Sequence, residues 1–479
     1  MSQYAYSRLP PGSETIRILR LLPSEDNTTQ IQCQLVNYTL PSTSTGYHPY
    51  EALSYVWGSE STPQSIRIDG QILSVTKNLY TALLYLREHQ LERLLWIDAI
   101  CINQGDEEEK SQQIQFMPTI YGQANHVIVW LGETADQSDK ALEVIRLAGD
   151  DDTHSGWRRI MEEEIRRQIT RPKGYIPDQG IPTLHDEIYS AVERLLERPW
   201  FRRIWVLQEV HAARSILVMC GHDKINGYSF WLGLSLFRLY MDKPNLRSLV
   251  GSITHLLRGS IFRSEYTTRP RGTLTLGELI DMYHTRAATK KHDKVYALLG
   301  MSSDTPLVPD YKLPWDSVFQ QVITYTFSGK GSVQIWPHCD LALIRTRGYI
   351  LGEVSRVKSD TDRYDRQQVY IENFALRANS WAYLSWVLGI PRDWTLHVSA
   401  KPVQKGDMVC LLEGASKPSI VRFYNGYLIF IIVHVTPLHE WDYEIKNWHE
   451  AFETLRSKNS PIRDMSLIWE WAYSGNLDG

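Results

Sequence analysis

Residues 94–132 constrain the fold of this 479-residue chain more than any other stretch. An apolar run over 94–102 is broken only by Asp98. A polar turn follows at Asn103-Gln104-Gly105, then a helix-like segment from Asp106 to about Tyr121. A second apolar run, 127–131, closes on Gly132. Apolar runs that do not alternate read as strands buried on both faces, and strand, turn, helix, strand is the βαβ unit of a parallel sheet. Open α/β sheets place ligands outside the carboxyl ends of their strands, so Asp98, near the end of the first strand, is a first candidate site residue. Asp106 with Glu109 has capping-box spacing, and the run Glu107-Glu108-Glu109 suits a helix N-terminus. Pro118 is expected to kink or end the helix.

The rest of the chain is arranged around this unit. Residues 15–22 and 31–40 read as two strands, and Tyr50 opens a third that ends on Gly58. Residues 65–68 and 71–75 form a hairpin hinged at Asp69-Gly70, a pair that tolerates positive φ. Thr76 is placed to cap a helix carrying Leu79, Leu83 and Leu86 on one face. Beyond Gly132, helices are expected over 136–148 and 185–197, around a Pro/Gly-rich loop at 171–182. The sheet pattern resumes over 199–209, a segment that following Pro199 also reads as helical, and 216–220 is a short apolar run closed by Gly221. Residues 1–44 are therefore expected to be N-terminal strands packing on an α/β domain at 45–225, with a helical insertion at 133–198. A mainly helical region at 226–345 and a small β-rich module at 346–479 follow.

Composition removes several classes of function. A net charge of −4 gives no reason to expect a nucleic acid or an anionic membrane surface as partner. The longest apolar run, 427–435, is too short to span a bilayer, and no signal-peptide pattern opens the chain. Five widely spaced cysteines without CxxC or Cys/His clusters point to reduced thiols, no metal site and a cytoplasmic location. Neither GxGxxG nor GxxxxGK[ST] occurs, so any nucleotide site is of neither the Rossmann nor the P-loop kind.

Three groups of side chains carry chemistry by residue type. Tyr55, Trp57 and Gly58 stand where the third strand runs into a loop; a glycine permits close backbone approach, and an aromatic ring can stack on a base or pack in the core. Asp98 interrupts an apolar run and needs a partner, either a ribose hydroxyl or backbone amides of the turn at 102–104. Trp205 and Glu209 stand i,i+4 on one helix face. By spacing alone Glu209 is either a site carboxylate or an exposed glutamate paired with Arg202 or Arg203.

Three blocks together carry a family likeness. Tyr50-Glu51-Ala52-Leu53-Ser54-Tyr55-Val56-Trp57-Gly58 resembles the first block of the fungal heterokaryon-incompatibility (HET) domain. Leu95-Trp96-Ile97-Asp98-Ala99-Ile100-Cys101-Ile102-Asn103-Gln104, with Asp106, Glu109 and Gln113, resembles the second. Arg198-Pro199-Trp200-Phe201, with Arg203, Trp205 and Gln208-Glu209, resembles the third. The likeness covers roughly residues 50–221 and continues more weakly at 293–300 and in the C-terminal part.

What the resemblance implies is a role in non-self recognition and programmed cell death. It also implies a distant relation to Toll/interleukin-receptor (TIR) domains, hence a flavodoxin-like parallel sheet and, as in many TIR domains, NAD cleavage. The TIR pattern Ser-x-Trp-Cys-x-x-Glu is matched at Trp205 and Glu209, whereas Arg203 stands for its serine and Val206 for its cysteine. The implied site has Glu209 as catalytic carboxylate and Tyr55, Trp57, Gly58, Asp98, Arg203 and Trp205 around the substrate NAD, with no permanently bound cofactor. Self-association and an incompatibility partner protein are expected. The alternative is a non-enzymatic signalling and self-assembly module.

Overall fold

The computed structural model describes residues 2–10, 14–26, 28–41, 49–59, 61–149, 184–236, 250–251, 253–254, 256–257, 274–283, 286–304, 307–359, 366–372, 393–397, 402–435, 448–457 and 460–471. The chain divides into two units, Met1–Pro270 and Arg271–Gly479. The loop expected at 171–182 lies outside the described residues.

The first unit opens with two antiparallel strands, β1 (Thr15–Leu21) and β2 (Gln32–Thr39). Next come β3 (Glu51–Ser54) and the hairpin β4 (Gln64–Ile68) and β5 (Gln71–Val75). The hairpin turns on Asp69 and Gly70, with φ of 50° and 80°. Helix α1 (Lys77–Leu86) follows, its first turn capped by the Thr76 hydroxyl, which accepts from the Leu79 amide, and its Leu79, Leu83 and Leu86 buried. Strand β6 is Arg93–Trp96, α2 is Asp98–Cys101, α3 is Glu107–Gln123 and β7 is Val127–Trp130. Helices α4 (Ser138–Gly149) and α5 (Leu184–Leu196) come next, then a short 3-10 turn at Pro199–Arg202 and α6 (Trp205–Ala212). The unit's remaining named elements are β8 (Ile216–Cys220), β9 (Asp223–Asn226) and α7 (Gly227–Leu236).

These nine strands form one sheet in the order β5-β4-β2-β1-β6-β3-β7-β8-β9. The expectation of a parallel sheet needs correction: the sheet is mixed. Only β6, β3, β7 and β8 form a continuous parallel core, while β1 joins β6 antiparallel and β9 joins β8 antiparallel. A two-stranded antiparallel pair made by a local turn, as in β1–β2, adds to a sheet without any helical crossover. Counted in chain order the four parallel strands lie 2-1-3-4, so the connection out of β3 leads to β6 on one side and the connection out of β7 leads to β8 on the other. That makes the carboxyl ends of β3, β6 and β7 a topological switch point, where open α/β sheets bind ligands.

Asp98 is not a strand residue. Strand β6 ends at Trp96, and the Ile97 carbonyl accepts from the Ile100 and Cys101 amides, closing a single helical turn. Ile100, Cys101 and Ile102 are buried as that turn packs, not as a strand; a short apolar run does not distinguish the two by periodicity. Of the two outcomes expected at Pro118, ending the helix does not occur, since α3 runs through it to Gln123. The proline forgoes its hydrogen bond to the preceding turn, and the burial of Ile114, Met117, Ile120 and Tyr121 holds the helix together on both sides. Asp106 caps α3 by accepting from the Glu108 and Glu109 amides, but Glu109 does not close the reciprocal half of a capping box. Its carboxylate instead accepts from the Asn103 amide and from both terminal nitrogens of the buried Arg17, tying β1 to the start of α3.

The second unit carries helices α8 (Leu276–Tyr283), α9 (Asp293–Leu299) and α10 (Trp315–Thr326), then strand β10 (Ser332–Trp336). The 19-residue β11 (Leu341–Ser359) pairs along its length with β10, with β12 (Arg366–Glu372), with β14 (Met408–Leu412) and with β17 (Arg463–Glu470). Strand β13 (Asp393–His397) extends β12, and β15 (Ser419–Tyr424) and β16 (Tyr427–Ile432) complete a closed ring, β11-β14-β15-β16-β17. A β-bulge between Ile350 and Gly352 bends β11 as it passes from one partner to the next. Helix α11 (Trp448–Ser457) lays Trp448, Ala451, Phe452 and Leu455 on the core of this unit. No helix among the described residues is long and apolar enough to cross a membrane.

Candidate functional site

At the switch point β3 contributes its last residue, Ser54, and the next, Tyr55. The parallel register pairs Ala52 with Trp96, which brings Ser54 level with Asp98 just beyond the end of β6. Helix α6 supplies Glu209 from above, five residues after its first turn is set by Ile204, and packs against α3. Three separate chain segments therefore meet at the carboxyl ends of two neighbouring parallel strands.

Arg203 joins them. Its Nη1 donates to the Tyr55 carbonyl at 2.5 Å and lies 3.7 Å from Oε1 of Glu209, and its Nη2 donates to Oδ2 of Asp98 at 3.4 Å. The same Asp98 oxygen accepts from the Trp57 indole at 2.9 Å, and the other accepts from the Ala99 amide at 2.8 Å. The Asp98 carboxylate thus bonds none of the 102–104 amides; it is the Asp98 carbonyl that accepts from the Ile102 amide and from the Gln104 side chain. The side chains grade inward from solvent: Arg203 is 19% exposed, Asp98 9% and Glu209 0%.

Glu209 is therefore not the exposed glutamate that spacing alone allowed. The Ser54 hydroxyl donates to its Oε2, and Ser54 Oγ in turn accepts from the Trp200 indole at 2.9 Å. Oε1 is buried without a hydrogen bond. Burial pushes the Glu209 carboxyl up to about 7, against the lowering pull of Arg203 and the Ser54 hydrogen bond and with a smaller upward push from Asp98. A carboxylate balanced near neutrality can hold or release a proton at working pH. For Arg203, desolvation pulls the guanidinium down, but Glu209 and Asp98 outweigh it and leave it above its ordinary value. Burial raises the phenols of Tyr55 and Tyr121 well above theirs, with Asp98 foremost among the charges acting on Tyr55 and Glu209 on Tyr121.

Of the residues singled out by sequence, Glu209, Arg203, Asp98, Tyr55 and Trp57 come together. Trp205 opens α6 and is buried, with no polar contact to the cluster. Gly58 is exposed, with φ of 80°, and a Cβ there would sit 3.4 Å from the Asn78 Cβ. Its place in the site is indirect. Asn78 donates to the Val56 carbonyl and accepts from the Trp130 indole, pinning the 55–58 loop to α1 and β7. Ser54, Trp200 and Asn78 were not singled out as site residues, though the first two stand in the blocks that carry the family likeness. The one available signal was a hydroxyl standing between Leu53 and Tyr55 in an otherwise apolar strand end. Among the described residues no group of three or more His, Cys, Asp or Glu side chains could hold a metal ion.

Comparison with known proteins bears on this region directly. The family model described as Heterokaryon incompatibility protein (HET) matches residues 50–209, from the start of the β3 block to Glu209 itself. A curated Neurospora crassa protein, "Heterokaryon incompatibility protein 6, OR allele", is 30% identical over 368 residues, covering 66% of this chain and 52% of that one. The chain thus spans about half the length of that relative. No solved structure matches. The segment that builds the switch-point cluster is the segment the family model covers, and over residues 50–209 the chain is similar to the HET-domain family.

Proposed function

We propose that this chain acts in heterokaryon incompatibility as a cell-death effector that hydrolyses NAD, with Glu209 as the catalytic carboxylate. The observation that carries the reading is Glu209 itself: a buried carboxylate with one oxygen held by Ser54, the other free of hydrogen bonds, and a proton affinity near neutrality. The 2-1-3-4 order of the parallel strands and the Trp205–Glu209 spacing at the head of α6 support a TIR-like reading of the domain. In the reaction the bond between the nicotinamide nitrogen and the ribose carbon breaks, its electron pair leaving with nicotinamide. Positive charge develops on the ribose, and a carboxylate at that carbon stabilises it electrostatically or by capture. Water then bonds to the carbon, displacing the Glu209 carboxylate where it has captured the ribose, and the free carboxylate accepts the proton that the water gives up. The ribose hydroxyls and diphosphate call for a hydrogen-bond acceptor and a cation, roles for Asp98 and Arg203. Glu209 has no exposure in this arrangement, so the guanidinium of Arg203 must leave it before substrate enters. Self-association and an incompatibility partner belong to the same proposal, as the events that open and complete the site.

The test is nicotinamide release from NAD by the purified chain over a range of protein concentrations. Wild type is expected to turn over, and Glu209→Ala to lose at least about 100-fold. No release from the wild-type chain at any concentration would reject the enzyme reading. A second reading, a non-enzymatic signalling and assembly module, is favoured by one specific observation: Arg203, Asp98 and Glu209 also form a buried ionic group that fixes the strand ends. Under that reading Glu209→Gln keeps incompatibility activity in hyphal fusion assays.

A further inference from the structure

Three polar side chains, Trp200 and Glu209 from adjoining elements and Ser54 from the end of β3, form a linear hydrogen-bonded series, and all three are buried. We propose that Ser54 is a positioning residue for Glu209, accepting a hydrogen bond from the Trp200 indole and donating one from its hydroxyl to Oε2, so that Oε1 alone is left to meet the substrate. The inference rests on the NAD-hydrolysis reading and specifies how its carboxylate is oriented.

The direction of the series follows from donor and acceptor chemistry. An indole N–H only donates, so Ser54 Oγ accepts at that contact; a serine hydroxyl has one proton, and the second contact of Oγ is Glu209. Ser54 is the last residue of β3 and pairs with Val129 of β7, while two residues earlier Ala52 pairs with both β6 and β7, so its backbone is held by the sheet. Trp200 sits in the 3-10 turn before α6, locked edge-to-face on Phe201 at 5.1 Å. Neither end of the series moves independently of the sheet or of the turn. The carboxylate plane of Glu209 is therefore set by the scaffold, and Oε1, 3.7 Å from Arg203 and without a hydrogen bond, is the oxygen presented for chemistry. A hydrogen bond donated to a carboxylate also favours its ionised form, so the same contact keeps part of Glu209 ionised at neutral pH against the effect of burial.

The experiment uses the full chain and two variants, Ser54→Ala and Trp200→Phe, with folding checked by circular dichroism. Glu209 protonation is read across the neutral range by infrared difference spectroscopy, its band assigned by loss in Glu209→Gln; nicotinamide release against pH is read in parallel. Losing a hydrogen bond to an ionised group moves the Glu209 titration up by about one to two pH units in Ser54→Ala, with a smaller shift in the same direction in Trp200→Phe. The acid limb of nicotinamide release moves with it. A folded Ser54→Ala in which Glu209 titrates as in wild type overturns the proposal. If Ser54→Ala does not fold, an unshifted titration in Trp200→Phe overturns it. If the titration shifts as expected but wild type releases no nicotinamide, the hydrogen-bonded series stands and the NAD-hydrolysis reading falls.

Discussion

Glu209 shows how much of a site can be read from spacing and how much cannot. Trp205 and Glu209 lie four residues apart, so their shared helix is legible in the sequence. Ser54 and Glu209 lie 155 positions apart, and no spacing rule joins them; only the folding of α6 over the end of β3 does. The same burial that makes Glu209 a candidate has an energetic consequence. Its carboxyl goes from an ordinary value of 4.5 up to about 7 on folding, so the folded state takes up a proton more readily than the unfolded one. Below the unfolded value the group is neutral in both states and costs nothing. Its destabilising effect appears as pH rises from about 4.5 and is complete above about 7, on the order of 3 kcal/mol. Glu209→Gln keeps the shape and removes the titration. The variant is expected to be more stable than wild type by roughly 1–3 kcal/mol at pH 8, and close to wild type at pH 5, in urea unfolding at both pH values. Equal stability at pH 8 would mean that Arg203 and Ser54 fully offset the desolvation.

At the scale of elements, hairpins, caps and amphipathic helices were legible because each follows from local rules: Asp69-Gly70 for the β4–β5 turn, Thr76 for α1, the apolar quartet of β7. Asp98 was misplaced because a four-residue apolar strand and a buried helical turn have the same composition. Pro118 does not end α3, because tertiary burial of four neighbours outweighs one missing hydrogen bond. The crossing of α4 and α7 was not legible at all. A Cβ on Gly149 would fall 2.0 Å from the Ser229 carbonyl oxygen, and one on Gly233 2.0 Å from that of Ile145. The two helices touch backbone to backbone, and both glycines are there for want of a side chain. Gly233→Ala is expected to destabilise the first unit by about 1–3 kcal/mol or more, since the clash is with backbone that cannot swing aside. Gly251 is also helical, but nothing lies within 4 Å of a Cβ there, so Gly251→Ala should raise stability by about 0.5–1 kcal/mol. Thermal melts of the two variants should move in opposite directions. A neutral Gly233→Ala would show that α4 and α7 do not approach as closely as described.

For the whole molecule, the mixed architecture was legible in outline: the parallel core from its non-alternating runs, the β-rich C-terminal part from its short strands. Pairing order was not, because the position of β1 beside β6 and the ring closed by β11 and β17 depend on contacts far apart in sequence. The two units also differ in how acid acts on them. In the second unit His434 is buried, and its Nδ1 would lie 2.5 Å from a Cβ on Gly277. Burial lowers its imidazole from 6.5 to about 4, with Lys417 pushing the same way and Glu278 and Asp304 opposing. Here the unfolded state binds the proton first. The stability held by neutral His434 is present above about 6.5 and is lost as pH falls toward 4, on the order of 3 kcal/mol. Glu209 acts with the opposite sign in the first unit, which gains stability as pH falls from about 7 to 4.5. Acidification from pH 7 to 5 should therefore raise the calorimetric transition of the first unit relative to that of the second. Glu209→Gln assigns the transitions, because only the first unit's pH response should flatten in that variant. Transitions that move together on acidification, or a second-unit transition that rises relative to the first, would show that neither buried group governs the acid response of its unit.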